Sequence, residues 1–174
     1  FGCYKSEGID TGHIKVDSEH QTGLAVVIKE ASGENRIVVY PGANAHITEA
    51  AIREAFDESP DAVYLGFEVP FETTLIAARL AAERGVPIFL DAAPADKNYP
   101  LESLPELEVF SPNETETLEY TGIMPTGIES SLRASLALYK RVKCKYIVIK
   151  QGDRGAFLYD GKRYNTYPAY RVGK

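Results

Sequence analysis

Four short apolar runs, separated by stretches of helical character, constrain the fold of this chain more than any other feature of its sequence. The runs are residues 62–67, 86–90, 107–110 and 146–149. Between them, helices are predicted over 71–84, from Asn113 to Thr121, and from about Ser130 to Val142. Strands that alternate with helices are typical of a mainly parallel sheet. We therefore predict an α/β fold with a doubly wound, Rossmann-like sheet.

The first forty residues follow a different pattern, with three β-branched runs and no long helix. The runs are His13–Val16, Gly23–Lys29 and Arg36–Tyr40, and Ala31–Asn35 is a predicted turn. They predict an antiparallel sheet with one uncovered face, which must cover a ligand cleft, pair with another copy, or do both. We assign residues 9–43 to this antiparallel β lid, and residues 1–8 and 44–174 to the α/β core.

Composition excludes several classes of function. The net charge of −6 argues against a protein that binds duplex nucleic acid or an anionic membrane, because either would present a basic face. No apolar run approaches the roughly 20 residues that span a bilayer, and no signal-peptide pattern begins the chain. Cys3 and Cys144 have neither metal-ligand nor redox spacing, which favours free thiols in a cytoplasmic protein.

Polar residues follow each predicted parallel strand. Glu68, Asp91 and Asn113 follow the first three strands, and Gln151-Gly152 follows the fourth. Because the carboxyl ends of the strands meet along one crevice in such a sheet, this is the expected ligand site. Singly, each residue has an ordinary structural explanation as a loop acid or a turn former, so their common placement carries the prediction.

The segment Ser111–Glu116 has two interpretations. Pro112 ends the preceding strand, Asn113 is a natural N-cap, and Glu116 completes the spacing of a capping box. The same two residues stand where a helix begins at the end of a strand, which is where α/β sheets hold phosphates and their metal ions. They are therefore either an ordinary cap or ligands around a magnesium-nucleotide.

Taken together, these stretches resemble the ribokinase-like family of carbohydrate kinases over the whole chain. The matching strings, in the family's order, are Thr22–Val26, Gly33–Asn35, Pro41–Ala45, Leu65–Pro70, Asp91–Ala95, Ser111–Glu116 and Lys150–Gly155. The resemblance implies phosphoryl transfer from ATP to a sugar hydroxyl, with ribose as the nearest substrate. It also implies a Mg²⁺ requirement, a monovalent cation in the complete enzyme, and a homodimer in which the lids of two subunits clasp each other.

The resemblance also implies roles for individual residues. Asn113 and Glu116 match the motif that organises magnesium and phosphates, largely through water. Nucleotide-binding positions are matched by Asn113, Lys150, Gln151, Gly152, Asp153 and Gly155. Glu68 matches an acid that hydrogen-bonds the sugar, and Ala25 and Val39 match apolar lid positions over it. Asp91 stands where ribokinases often carry Asn.

The resemblance covers only a central portion of the family pattern. The family's catalytic Asp lies in a Gly-Ala-Gly-Asp motif that would follow Lys174, so no catalytic residue is assigned in this chain. We expect the 174 residues alone not to turn over. Two alternatives stay open: a truncated paralogue that acts as a ligand-binding or dimerisation module, and a kinase for a nucleoside, fructose, a sugar phosphate or another sugar.

Overall fold

A computed structural model describes residues 2–29 and 35–171. The chain divides into two compact units, Phe1–Ser59 and Pro60–Lys174. The assignment of residues 9–43 to a lid is a statement about function, and it stays a prediction. In the part of the chain that is described, no helix is both long and apolar enough to cross a membrane.

Within residues 2–29 and 35–59, the first unit contains a β-hairpin and two α-helices. Its elements are α1 (Gly2–Ser6), β1 (Leu24–Lys29), β2 (Asn35–Tyr40), a 3-10 helix (Gly42–His46) and α2 (Glu49–Phe56). Strands β1 and β2 pair antiparallel, with Ala25 opposite Val39. The side chain of Thr48 caps α2 by accepting a hydrogen bond from the backbone of Ala51. The predicted turn at Ala31–Asn35 lies almost entirely outside the described residues.

The predicted strand at His13–Val16 is wrong, because residues 12–16 form no strand. Turns on either side take up the local backbone groups. The carboxylate of Asp10 accepts from the backbone of Gly12, and that of Asp17 accepts from the backbone of Glu19 and His20. The expected three-stranded meander is therefore a two-stranded hairpin within residues 2–29 and 35–59.

The second unit is built on a six-stranded sheet in the order β3-β4-β5-β6-β7-β8. The strands are β3 (Val63–Leu65), β4 (Ile88–Asp91), β5 (Leu107–Ser111), β6 (Cys144–Lys150), β7 (Ala156–Tyr159) and β8 (Tyr164–Tyr167). The helices are α3 (Phe71–Glu83), α4 (Glu114–Thr121), α5 (Ile128–Arg141) and two short 3-10 helices (Leu101–Ser103 and Gly152–Arg154). Strands β3 to β6 are parallel, whereas β7 and β8 pair antiparallel. The predicted fold class is therefore confirmed.

The two faces of this sheet differ in burial. Leu90, Phe110 and Ile147 are register partners and at most 1% exposed. Helix α4 contacts this row through Tyr120, whose ring lies 6.0 Å from that of Phe110. On the opposite face Tyr64 is 74% exposed. The core of this unit thus lies between the sheet and the helices on the face that carries Phe110.

Candidate functional site

The candidate site lies at the carboxyl end of the parallel strands in the second unit. Asp91 ends β4 opposite Ser111, which ends β5. Asn113 forms a parallel bridge with Lys150, the last residue of β6, and the backbone N–H of Lys150 donates to the carbonyl of Pro112 at 2.8 Å. The parallel register therefore brings these residues to one edge of the sheet, as the sequence predicts.

Asn113 and Glu116 form a complete capping box at this edge. The Asn113 side-chain oxygen accepts from the Glu116 backbone at 2.9 Å. One Glu116 oxygen accepts from the Asn113 backbone at 2.6 Å, and the other accepts from the Asn113 side-chain amide at 2.7 Å. Helix α4 starts at Glu114, directly after Asn113, and is followed by Gly122 as its C-cap, in the left-handed conformation (φ 71°). Both side chains are therefore held in one fixed geometry.

The Glu116 carboxyl is electrostatically unusual. Glu116 is only 8% exposed, and desolvation by burial raises the pKa of its carboxyl above the ordinary value. The hydrogen bond from the Asn113 backbone and the ammonium of Lys150 act in the opposite direction, while the carboxylates of Asp91 and Glu68 add to the rise in pKa. Three charged side chains at this edge therefore act on the pKa of the Glu116 carboxyl.

This raised pKa predicts a pH-dependent stability. The folded state binds the Glu116 proton more tightly than the unfolded chain does. The resulting contribution to folding stability is fully present below the pKa of the unfolded chain and is lost as pH rises through the pKa of the folded state. We expect the wild type to lose stability relative to Glu116→Gln as pH rises from about 4 to 7, measured by urea unfolding. A difference between the two proteins that does not vary with pH would contradict this assignment.

Asp91 is the centre of a cluster that the sequence does not predict. The Lys150 ammonium donates to both Asp91 oxygens, at 2.8 and 2.7 Å, and the Tyr64 hydroxyl donates to one of them at 2.9 Å. The hydrogen bond to Asp91 is also the main reason that the pKa of Tyr64 is raised. The spacing of these three residues along the chain carries no periodic signal, so only the strand register brings them together.

The loop after β6 is anchored to the α4–α5 connection. The side-chain amide of Gln151 is buried and donates to the Pro125 carbonyl at 2.8 Å and to the Ser131 hydroxyl at 2.9 Å. The guanidinium of Arg154 donates to the Glu114 carboxylate and to the carbonyls of Pro125 and Thr126. Both side chains thus hold the loop in position.

Gly155 shapes the same loop through its backbone. It adopts φ 94° and ψ −127°, a conformation that disfavours side chains. A Cβ atom added here would overlap the backbone oxygen of Tyr167 and lie 2.7 Å from the backbone nitrogen of Ala169. The backbone of Gln151 donates to the Gly155 carbonyl at 2.8 Å, which closes the loop.

Replacing Gly155 tests how much the close approach of its backbone to that of Tyr167 matters for stability. We expect Gly155→Ala to lower the free energy of unfolding by about 2 kcal/mol or more, because strain and overlap add. Gly85→Ala is the matched control, since Gly85 also has a positive φ (69°) but no atom within 4 Å of the added Cβ. The control should cost only about 1 kcal/mol. Equal losses in urea unfolding would show that the approach to Tyr167 is unimportant.

The predicted sugar-binding residues lie in both units. Glu68 is exposed in the loop after β3, and its carboxylate packs against Gly66. The backbone of neighbouring Phe67 donates to the Ala93 carbonyl at 2.8 Å, which ties this loop to the end of β4. In the first unit, Ala25 and Val39 are opposite each other on the exposed hairpin.

The donor set at the capping box fits a magnesium ion held partly through water. Among residues 2–29 and 35–171, no group of three or more His, Cys, Asp or Glu is arranged to hold a metal directly. A Mg²⁺ ion keeps several waters and needs only one or two carboxylates besides phosphate oxygens. Each Glu116 oxygen accepts one hydrogen bond from Asn113 and retains acceptor capacity for such a water.

Comparison with known proteins identifies the family of this chain. The model of the pfkB family of carbohydrate kinases matches residues 4–172. Ribokinase of Haemophilus influenzae is 32% identical over 158 residues, covering 90% of this chain and 51% of the relative. Ribokinase of Staphylococcus aureus is 32% identical over 171 residues, covering 97% of this chain and 56% of the relative.

A solved structure gives the same result. Ribokinase of Arabidopsis thaliana, complexed with ribose and ATP, superposes with a TM-score of 0.71 at 25% identity, covering 90% of this chain and 51% of that chain. This chain spans about half the length of the curated relatives it matches. It belongs to the pfkB family of carbohydrate kinases and is ribokinase-like in sequence and fold.

Proposed function

We propose that the full-length gene product transfers a phosphoryl group from ATP to a hydroxyl of ribose or a closely similar sugar. The observation that carries this proposal is the capping box of Asn113 and Glu116 beside Lys150 and its loop, at one edge of a parallel sheet. The Arabidopsis relative binds ribose and ATP, which supports the same ligands here.

In this proposal the edge holds the nucleotide. Asn113 and Glu116 orient a hydrated Mg²⁺ ion, which when bound would neutralise charge on the phosphates. The loop positions face the nucleotide: Lys150, Gln151, Gly152, Asp153 and Gly155. Because the amide of Gln151 is used inside the protein, its contribution is to place backbone groups near the phosphates. We also propose that a monovalent cation activates the full-length enzyme.

The proposal also covers how the sugar is bound and how two copies of the protein associate. Glu68 would hydrogen-bond sugar hydroxyls, while Ala25 and Val39 would cover the sugar and exclude water from the reacting phosphoryl group. The hairpin leaves apolar side chains exposed on both faces, including Val38 (61%) and Val39 (57%). We propose that it pairs with a second copy in a cytoplasmic homodimer. Sedimentation of the full-length protein as a monomer at micromolar concentration would contradict this pairing.

A sugar panel tests the proposed activity. Purified full-length protein should form ADP from ATP in a Mg²⁺-dependent reaction that requires ribose. Deoxyribose, fructose and a nucleoside, offered at the same concentration, should give a lower kcat/KM. A higher kcat/KM for one of these would change the substrate, whereas ATP binding without turnover of any sugar would favour the non-catalytic module. The inactivity of the 174 residues alone stays a prediction.

A further inference from the structure

The ion pair between Lys150 and Asp91 is a contact that a bound anion could replace. Its side chains are 40% and 22% exposed, so solvent reaches both partners. Ion pairs with this exposure are weak, because water screens them and long side chains lose freedom when they form. A ligand that carries more negative charge than one carboxylate can therefore compete for the ammonium.

The location of the pair matches the proposed phosphate site. The backbone of Lys150 lies beside Asn113, at the start of α4. From the end of β6 its side chain reaches Asp91 on β4, across the intervening strand β5. The ammonium is also close enough to Glu116 to influence the pKa of that carboxyl. It thus lies over the same edge that would receive the phosphates and Mg²⁺.

A second cationic side chain near this edge, that of Arg154, has structural partners. The guanidinium of Arg154 is engaged by the carboxylate of Glu114 and by two backbone carbonyls of the α4–α5 connection. Replacing those contacts would release the loop, whereas releasing Lys150 from Asp91 leaves the strand pairing unchanged. Lys150 is therefore the better suited of the two to change partners.

We propose that Lys150 is a phosphate-binding residue, and that Asp91, aided by Tyr64, holds its ammonium in position until the phosphates of the nucleotide displace the carboxylate. This inference rests on the proposed function and adds to it the part of the nucleotide that Lys150 recognises. Asp91 then acts as a competitor for the phosphates, which lowers nucleotide affinity and keeps the ammonium pre-positioned.

Binding measurements on the full-length protein test this proposal. Calorimetry with ATP should show at least a tenfold loss of affinity in Lys150→Met, while adenosine affinity is unchanged. Lys150→Arg keeps the positive charge and should retain most of the ATP affinity. Asp91→Asn should bind ATP about two- to fivefold more tightly, because it removes a weak competing charge. In the Asp91→Asn/Lys150→Met double variant that gain should disappear.

Lys145→Met is the matched control. Lys145 lies on the same strand and forms an ion pair with Glu108 at 2.6 Å, away from the carboxyl edge. Its loss should leave ATP affinity unchanged. The role of Lys150 is wrong if the wild type binds ATP and Lys150→Met binds it equally well. It is also wrong if Asp91→Asn still tightens ATP binding when Lys150 is replaced by Met. In both cases the proposed function is unaffected. If the wild type does not bind ATP, the proposed function fails as well.

Discussion

Replacing Glu116 by Gln is expected to lower kcat about 10- to 100-fold and to raise the Mg²⁺ concentration needed for half-maximal activity. The glutamine oxygen can still accept from the Asn113 backbone, because Gln serves in capping boxes as Glu does. The change therefore removes the negative charge and the acceptor for the Asn113 side-chain amide, while it keeps the backbone contact at the start of α4. Steady-state assays of the full-length protein across a Mg²⁺ titration measure the effect.

The control for this variant is on the same helix. Glu119 is exposed, and Glu119→Gln removes the same charge without touching the capping box. It should leave both kcat and the Mg²⁺ dependence unchanged. If Glu116→Gln also leaves the Mg²⁺ dependence unchanged, Glu116 is only a helix cap and the magnesium role is wrong.

Replacing Phe110 by Ala is expected to lower the free energy of unfolding by about 3–5 kcal/mol. The Phe110 side chain is 0% exposed at the centre of the sheet, and its ring packs against Tyr120 of α4. The substitution leaves a cavity beneath the helix that carries the capping box. Urea unfolding measures the loss, and a variant that still folds should also bind Mg²⁺-ATP less tightly.

The neighbouring residue provides the control. Val109 lies on β5 with its side chain on the opposite face of the sheet, where it is half-buried. Val109→Ala should cost about 1 kcal/mol or less, because less apolar surface returns to water. Equal losses at the two positions would contradict the assignment of the core to the face that carries Phe110.

Strong local signals made most of the fold predictable. Asn113 caps the helix that was predicted to follow it, and Thr48 caps α2 in the same way. The hairpin of β7 and β8 turns at Asp160-Gly161, where the Asp160 carboxylate accepts from the backbone of Lys162 and Arg163. In each case a residue with a local hydrogen-bonding role marks the boundary, so the sequence pattern suffices.

The parts that were not predicted depend on competition or on distant contacts. Polar and apolar residues alternate over His13–Val16 as they do in a strand. However, the backbone groups on either side are hydrogen-bonded in turns to the carboxylates of Asp10 and Asp17. The contact of Tyr64 with Asp91 links residues that are 27 positions apart, and the contact of Lys150 with Asp91 spans 59 positions. Contacts at such separations follow from strand register, which the residue pattern alone does not specify.

A crystal structure of the full-length protein with Mg²⁺, ribose and a non-hydrolysable ATP analogue would show where the phosphates bind. We predict that the phosphates lie against the loop of residues 152–155, with Glu116 reaching the Mg²⁺ ion through a water molecule. A nucleotide bound at another edge of the sheet, with Asn113 and Glu116 remote from its phosphates, would contradict it.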